Sequence, residues 1–290
     1  MSDRQFASSC LHSVERGSAA DVSIAPPLPI KPFIDLQQVS LVYGHGADHT
    51  LAVERLDMQI AQGEFVAVVG PSGCGKSTLM KLVSGLTRAT TGSVRVRGVA
   101  VDDPIDGVGM AFQNPLLMPW RTALGNVTLP LEIIDGRDGR LKHDKAWRKS
   151  RALDLLGSVG LQGFENKFPW QLSGGMQQRV NLCRAIVHMP ELLLLDEPFG
   201  ALDTFTREGL WLAMQTIWMA QKFTGMLVTH DLQEALFLAD RVYVMSGRPG
   251  RTIYEQAVDF ARPRSPELLA DPSFAALVAD LRRVVATANV

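Results

Sequence analysis

The segment with the clearest chemical signature is GPSGCGKS at positions 70–77, directly after the apolar run FVAVV. It has the form GxxxxGK[ST], in which glycines let successive backbone N–H groups turn inward around phosphate oxygens. A helical pattern follows and would add the positive potential of a helix N-terminus. The segment therefore predicts a nucleotide phosphate site, with Lys76 on the β- and γ-phosphates and Ser77 on Mg²⁺. The residues expected to contact the nucleotide here are Gly70, Pro71, Ser72, Gly73, Cys74, Gly75, Lys76, Ser77 and Thr78.

A pair of carboxylates, Asp196 and Glu197, follows the run LLLL. A strand of four leucines is expected to be buried, so both carboxylates should emerge at the ligand-binding edge of a parallel sheet. There Asp196 would hold Mg²⁺ through water, and Glu197 would polarise an attacking water molecule. The alternative is that Asp196 and Glu197 are an acidic pair at the end of an ordinary strand. The phosphate-binding segment about 120 residues upstream makes this alternative a minor possibility.

The segment LSGGMQQR at 172–179 predicts a second phosphate-binding helix start. Ser173 suits an N-cap, and Gly174 and Gly175 leave the first-turn amides bare. Together with GPSGCGKS and LLLLDEPFGALD, the segment resembles the ABC ATPase family, whose signature is LSGGQ; here the fifth position is Met176. The resemblance implies ATP and Mg²⁺ as cofactors and a second ATPase subunit, expected to be a copy of this chain. In that family each ATP is clamped between the GxxxxGK[ST] loop of one subunit and the signature of the other.

Four further residues match family motifs and take their expected roles from the resemblance. Tyr43 would stack on adenine, Gln113 would contact Mg²⁺, Asp203 would lie in a loop at the dimer interface, and His230 would contact the γ-phosphate. The resemblance covers about residues 33–255. The implied catalytic residues are Glu197, His230 and Lys76, and the implied metal ligands are Ser77, Gln113 and Asp196.

The elements that must position these residues indicate an α/β fold. Short apolar runs bounded by glycine or charge are typical of central strands in a parallel sheet. They occur at 65–70, 192–196, 225–230 and 241–245. Alternating segments between 33 and 60 and at 93–98 are typical of antiparallel strands. We therefore expect a P-loop NTPase core with a mainly parallel sheet, an N-terminal antiparallel β-layer and an inserted α-helical subdomain.

Helical spacing appears in two further places. The segment 143–161 places Ala146, Leu153, Leu156 and Val159 on one face, within a helical subdomain expected at about 115–172. Near the C-terminus, Asp271 and Pro272 predict a helix start, followed by an apolar stripe expected to pack on its own domain: Phe274, Leu277, Val278, Leu281 and Val285. The expected organisation is a disordered leader at 1–31, an ATPase domain at 32–255 and a helical tail at 256–290.

Composition limits the possible partners. The 290 residues carry 29 basic and 30 acidic side chains, so no global attraction to nucleic acid is expected. The longest stretch without charge, Gly107–Trp120, is shorter than the roughly 20 residues of a spanning helix. Three cysteines without metal or disulfide spacing, and an N-terminus without an apolar signal segment, favour the cytosol. We expect a peripheral protein at the cytoplasmic face of the inner membrane, bound to a separate permease.

Three functions fit the motifs: the ATPase of an importer, that of an exporter or lipid transporter, or a soluble ABC ATPase in DNA repair or translation. The third is disfavoured because the 97 residues from Lys76 to Ser173 contain no heptads or CxxC pairs. PLLMPWRTALGNV at 115–127 and SGRPGRTI at 246–253 resemble segments of the nitrate, sulfonate and taurine importer subfamily, although both could simply be turns. That resemblance implies a small anionic cargo, a periplasmic solute-binding protein, and a permease contact at Pro119 and Trp120.

Overall fold

The computed structural model describes residues 32–44, 49–138, 144–200 and 202–288; the predicted leader at 1–31 lies outside them. The strands within these ranges are β1 (Ile34–Tyr43), β2 (Thr50–Ile60), β3 (Phe65–Val69), β4 (Thr91–Val96), β5 (Val99–Ala100), β6 (Val108–Ala111), β7 (Leu192–Asp196), β8 (Thr224–Val228), β9 (Arg241–Met245) and β10 (Thr252–Ala257). The helices there are α1 (Lys76–Val83), α2 (Ala123–Asp138), α3 (Lys145–Ser158), α4 (Gly174–Ile186), α5 (Thr204–Gln221), α6 (Leu232–Leu238) and α7 (Pro272–Thr287).

The predicted antiparallel layer is confirmed as a four-stranded sheet in the order β2-β1-β4-β5. The alternation of β1 is imperfect because the pairing register shifts between Leu36 and Val39. Gln38 there has φ 49°, and its backbone N–H donates to Asp57 Oδ1 at 2.8 Å. This bulge keeps Leu36 and Val39 buried on either side of it.

The predicted parallel sheet is also confirmed. Six strands lie in the order β10-β9-β3-β8-β7-β6, parallel except for β10, which pairs antiparallel to β9 at the edge. Alternate residues of β7 enter two different cores: Leu192 and Leu194 pack toward the antiparallel sheet and α1, and Leu193 and Leu195 pack toward the larger helices. Both faces are covered, which explains why these strands read as unbroken apolar runs.

The register of the parallel strands brings their C-terminal ends together. Ala111 of β6 pairs with Leu195 of β7, Leu195 pairs with Leu227 of β8, and Leu227 pairs with Ala67 of β3. Four of the predicted site residues follow these positions by two or three residues: Gly70, Gln113, Glu197 and His230. The sheet therefore delivers residues that are distant in sequence to one edge.

The segment between β6 and β7 carries α2, α3 and α4, as the loss of strand signals predicts, while its treatment as a subdomain at 115–172 stays a prediction. The expected apolar face of α3 is partly wrong. Ala146 is exposed, and Ala152, Leu155 and Leu156 are the buried residues. Trp147 packs on the core in place of Ala146, which shifts the buried face by one residue at this end of the helix.

The C-terminal helix α7 begins as predicted, with the Asp271 carboxylate accepting from the backbone N–H of Ser273 at 2.7 Å. Its buried residues Phe274, Val278 and Leu281 join the core beneath the parallel sheet. In the part of the chain that the structure describes, none of the helices is long and apolar enough to cross a bilayer.

Helix α6 buries a carboxyl group directly behind the sheet edge. Asp231 caps the helix by accepting from the backbone N–H groups of Gln233 and Glu234. Glu234 is 2% exposed, and its Oε1 has no hydrogen-bond partner among the residues that the structure describes. Burial raises the pKa of Glu234 to about 8; the Asp231 carboxylate acts in the same direction, and Arg207 of α5 opposes it. Glu234 is therefore held as the neutral acid over most of the physiological pH range.

We predict that Glu234→Gln is increasingly stabilising as the pH rises from 5 to 8. The unfolded chain releases this proton near pH 4.5, whereas the folded chain keeps it until about 8, so the wild type loses stability across that window. The difference in unfolding free energy, measured by urea denaturation at each pH, should grow by at most about 5 kcal/mol. A difference that stays constant from pH 5 to 8 would contradict this.

Candidate active site

The loop 70–77 joins β3 to α1 in a conformation that requires glycine. Gly75 caps α1 with φ 104°, and a Cβ there would lie 2.8 Å from Val53 Cγ1. A larger residue at position 75 would strain the backbone and clash with β2. The loop therefore reaches the helix N-terminus in the tight form that the sequence predicts.

The loop curls around the ammonium group of Lys76. Lys76 is 7% exposed, and its Nζ donates to the carbonyl oxygens of Gly70 at 2.9 Å and Pro71 at 2.8 Å. Burial also raises the pKa of the neighbouring Cys74 thiol, so this cysteine is a packing residue and not a nucleophile. A buried cation inside a ring of glycines is suited to phosphate oxygens.

Ser77 and Asp196 meet at the first turn of α1. The Ser77 hydroxyl donates to Asp196 Oδ1 at 3.2 Å, and burial raises the pKa of the Asp196 carboxyl. Gln113 lines a cavity together with Ser77 and adds an amide group to it. Hydroxyl, carboxylate and amide oxygens are the donors that Mg²⁺ prefers, with phosphate and water completing its shell. The described residues contain no cluster of three or more His, Cys, Asp or Glu that could hold a metal ion.

Glu197 stands at the centre of the site. Its Oε2 lies 3.3 Å from Gln113 Nε2 and 3.3 Å from His230 Nδ1. Its backbone has φ 45°, in the left-handed region, and its N–H donates to Val228 O at 2.9 Å. A non-glycine residue held there by pairing with β8 is a local strain of the kind found at functional sites. With this backbone conformation the Glu197 carboxylate lies beside both Gln113 and His230.

These groups share one cavity of about 500 Å³. Its lining comprises Tyr43, Thr50, Ala52, Ser72, Gly73, Gly75, Lys76, Ser77, Thr78, Gln113, Glu197, His230 and Arg248. Tyr43 is 38% exposed at the end of β1, with its hydroxyl 3.5 Å from Thr78 Oγ1. Thr50, Ala52 and Arg248 line the cavity but are not predicted from the sequence. Only Arg248 had a signal, because it lies in the 246–253 segment that carries a family resemblance.

Eight predicted site residues do not line this cavity. Gly70, Pro71 and Cys74 lie in the loop around Lys76, Asp196 lies beside Ser77, and the remaining four lie at the starts of α4 and α5. Ser173 caps α4 by accepting from Met176 N at 3.2 Å, as expected. A Cβ on Gly175 would lie 2.8 Å from Leu202 Cδ2, so the start of α4 packs closely on the segment before α5. Asp203 caps α5, and the hydrogen bond from the Thr206 backbone N–H lowers its pKa. The residues that stand apart from the cavity are Ser173, Gly174, Gly175 and Asp203.

Helix α4 holds the backbone on either side of Gln113. The Asn181 side chain donates to Phe112 O at 3.0 Å, and Arg184 donates to Pro115 O at 2.7 Å and to Leu116 O at 3.0 Å. The loop that carries Gln113 is therefore fastened to the same helix that begins at Ser173.

The segment after this loop forms a rigid surface with exposed apolar side chains. Asn126 is fully buried; its Oδ1 accepts from Met118 N at 2.7 Å, and its Nδ2 donates to Arg121 O at 3.0 Å. Its fixed amide shapes the turn on which Leu116 is 62% and Trp120 is 71% exposed. Two large apolar side chains on an ordered turn suit contact with another protein.

Relatives named as transport proteins share most of this chain. The bicarbonate transport ATP-binding protein CmpD of Synechocystis is 40% identical over 83% of this chain and 85% of its own length. The aliphatic sulfonates import ATP-binding protein SsuB 1 of Mesorhizobium japonicum is 42% identical, over 83% and 88%. The taurine import ATP-binding protein TauB of Yersinia pestis is 42% identical, over 73% and 80%.

A solved structure and a family model agree with these relatives. The ATP-binding cassette MJ0796, in a dimeric post-hydrolysis state bound to ADP and Pi, matches 79% of this chain and 100% of its own, with a TM-score of 0.70 and 32% identity. The model of the ABC transporter family matches residues 53–200. The chain therefore belongs to the ABC transporter family and is one of its ATP-binding, ATP-hydrolysing cassettes.

Proposed function

We propose that this cassette powers an importer of a small anionic solute, and that its own site residues hydrolyse ATP in the roles the sequence predicts. The observation that carries the catalytic assignment is the position of Glu197. Its carboxylate touches both Gln113 and His230 in the cavity that contains Lys76.

The charge of the reaction explains the composition of the cavity. Hydrolysis builds negative charge on the oxygens of the transferred phosphoryl group, so catalysis depends on positioning and on cationic and amide donors. When the nucleotide binds, Lys76 Nζ would donate to phosphate oxygens instead of to the loop carbonyls of Gly70 and Pro71. The loop amides and the N-terminus of α1 would add to the same stabilisation. Bound Mg²⁺, held by Ser77, Asp196 and Gln113, would neutralise phosphate charge.

Glu197 is proposed to orient the attacking water and accept its proton. Gln113 and His230 both contact Oε2, which leaves Oε1 free to face the water. The His230 side chain is 64% exposed, lines the cavity, and would also contact the γ-phosphate. Tyr43 would stack on the adenine at the other end of the nucleotide.

A second copy of the chain would complete the site. Ser173, Gly174 and Gly175 form a helix start with free amides, yet they do not line the cavity of their own chain. ATP that bridges Lys76 of one subunit and Ser173 of the other would close the pair, and hydrolysis would release it. Asp203 would lie at that interface. The dimeric state of the MJ0796 cassette supports this arrangement.

We predict that Glu197→Gln binds ATP but hydrolyses it at least about a hundredfold more slowly, because the amide cannot accept a proton. ATP turnover is measured by phosphate release, and the ATP-bound dimer by size-exclusion chromatography with light scattering. The variant should accumulate that dimer.

Two further variants serve as controls for this test. Lys76→Ala should lose ATP binding, and Glu208→Gln, a carboxylate of α5 outside the cavity, should turn over ATP like the wild type. Normal turnover by Glu197→Gln would show that another group activates the water.

The cargo and the membrane partner are proposed from the relatives and from one surface. The named relatives transport bicarbonate, aliphatic sulfonates and taurine. The 115–127 segment exposes Leu116 and Trp120, where a separate permease would dock. We therefore place the protein at the cytoplasmic face of the inner membrane, where a periplasmic solute-binding protein would supply a sulfonate, taurine, nitrate or a similar anion. No nucleic acid is expected to bind.

We predict that cells lacking this chain lose uptake of one labelled anion among taurine, an alkanesulfonate, nitrate and bicarbonate. Wild-type protein should restore the uptake, and Glu197→Gln should not. Trp120→Ala should restore little uptake although the purified variant still hydrolyses ATP, because only the docking surface is lost. Full uptake of all four anions without the chain would overturn the importer proposal.

A further inference from the structure

The loop between β9 and β10 is fixed against the phosphate-binding loop. Gly250 N donates to Ala52 O at 3.0 Å, and Glu54 N donates to Gly250 O at 2.9 Å. A Cβ on Gly250 would lie 2.0 Å from Cys74 O, so the two loops touch backbone to backbone. Arg251 closes the loop from outside through an ion pair with Glu54. The segment 246–251 therefore has a set position relative to residues 70–77.

This position brings the guanidinium of Arg248 to the nucleotide cavity. Arg248 Nε donates to Gly73 O at 3.3 Å, and a Cβ on Gly73 would lie 3.5 Å from Arg248 Nη2. The side chain is exposed and lines the same cavity as Lys76. It makes no ion pair with an acidic side chain among the described residues, unlike Arg251 three positions later.

The charges around the cavity favour a phosphate contact by the Arg248 guanidinium. Lys76 is buried beneath the loop, whereas Asp196 and Glu197 place two carboxylates beside it. A triphosphate brings further negative charge, so Lys76 and a bound Mg²⁺ together still leave the site with an excess of anionic charge. A guanidinium at the mouth, with its Nη donors free, can reach phosphate oxygens with two donors at once.

We propose that Arg248 is a phosphate-binding residue of the site, a second cation that contacts the phosphate chain of the nucleotide beside Gly73. This rests on the proposed binding of ATP in the cavity. The hydrogen bond from Arg248 Nε to Gly73 O already holds the guanidinium beside the phosphate-binding loop, so less side-chain freedom has to be lost on binding.

The test is ATP and ADP binding by the full chain, measured by calorimetry in EDTA so that no hydrolysis occurs, at several salt concentrations. Arg248→Ala should weaken ATP binding about fivefold or more at low salt. The salt dependence of its Kd should also be flatter than that of the wild type, because one screened attraction is lost. Arg248→Lys should recover part of the affinity, because it restores the charge but not the paired donors, and Arg248→Gln should recover less.

The matched control is Arg95→Ala, an exposed arginine of β4 whose Nη1 also reaches a loop carbonyl, that of Gly98 at 3.5 Å, outside any nucleotide cavity. It should bind ATP like the wild type with an unchanged salt dependence. Should Arg248→Ala destabilise the loop, its melting temperature without nucleotide will fall, and Arg248→Gln then isolates the charge.

The outcomes separate this proposal from the function on which it rests. If Lys76→Ala loses ATP while Arg248→Ala binds within about twofold of the wild type, Arg248 is not a phosphate ligand. The same holds if Arg248→Gln binds as well as Arg248→Lys. If Lys76→Ala binds ATP like the wild type, the cavity is not the nucleotide site, and the proposed function fails first.

Discussion

The site depends on the register of four parallel strands. Pairing of Ala111, Leu195, Leu227 and Ala67 in one row means that the loops after β6, β7, β8 and β3 all begin at the same height. A slip of one strand by a residue would exchange its two buried faces and move its loop away from the others. The apolar packing on both sides of the sheet therefore fixes the catalytic geometry as well as the stability.

The site also holds two arrangements that are unfavourable by themselves. Lys76 is buried as a cation, and Glu197 has a left-handed backbone. Each is tolerated because its surroundings over-determine it: the loop carbonyls surround Lys76, and β8 pairs with the backbone of Glu197. Such groups have much to gain from a ligand that relieves them, which is a property expected of a binding site.

Sequence reasoning predicted the two sheets, the loop 70–77, the carboxylate pair and both helix caps at Ser173 and Asp271, because each follows from local chemistry or from alternation. It missed Arg248, because contact between residues about 175 positions apart depends on which loops the finished sheet brings together. It also missed the buried polar anchors Asn126 and Glu234, since neither an amide nor a carboxyl shows in the sequence whether it will be enclosed. Face assignment failed at Ala146 for a related reason, because a small residue carries little information about burial.

Helix α4 has a further consequence, which follows from its two ends. In the proposed dimer its N-terminus would present Ser173 to the neighbouring subunit, whereas Asn181 and Arg184 farther along hold the loop that carries Gln113 in its own subunit. In a pair of such chains, one α4 helix would thus position groups at two different ATP sites. The turn around Trp120 continues from the loop that this helix holds, so a partner bound at that turn would be connected through α4 to both sites.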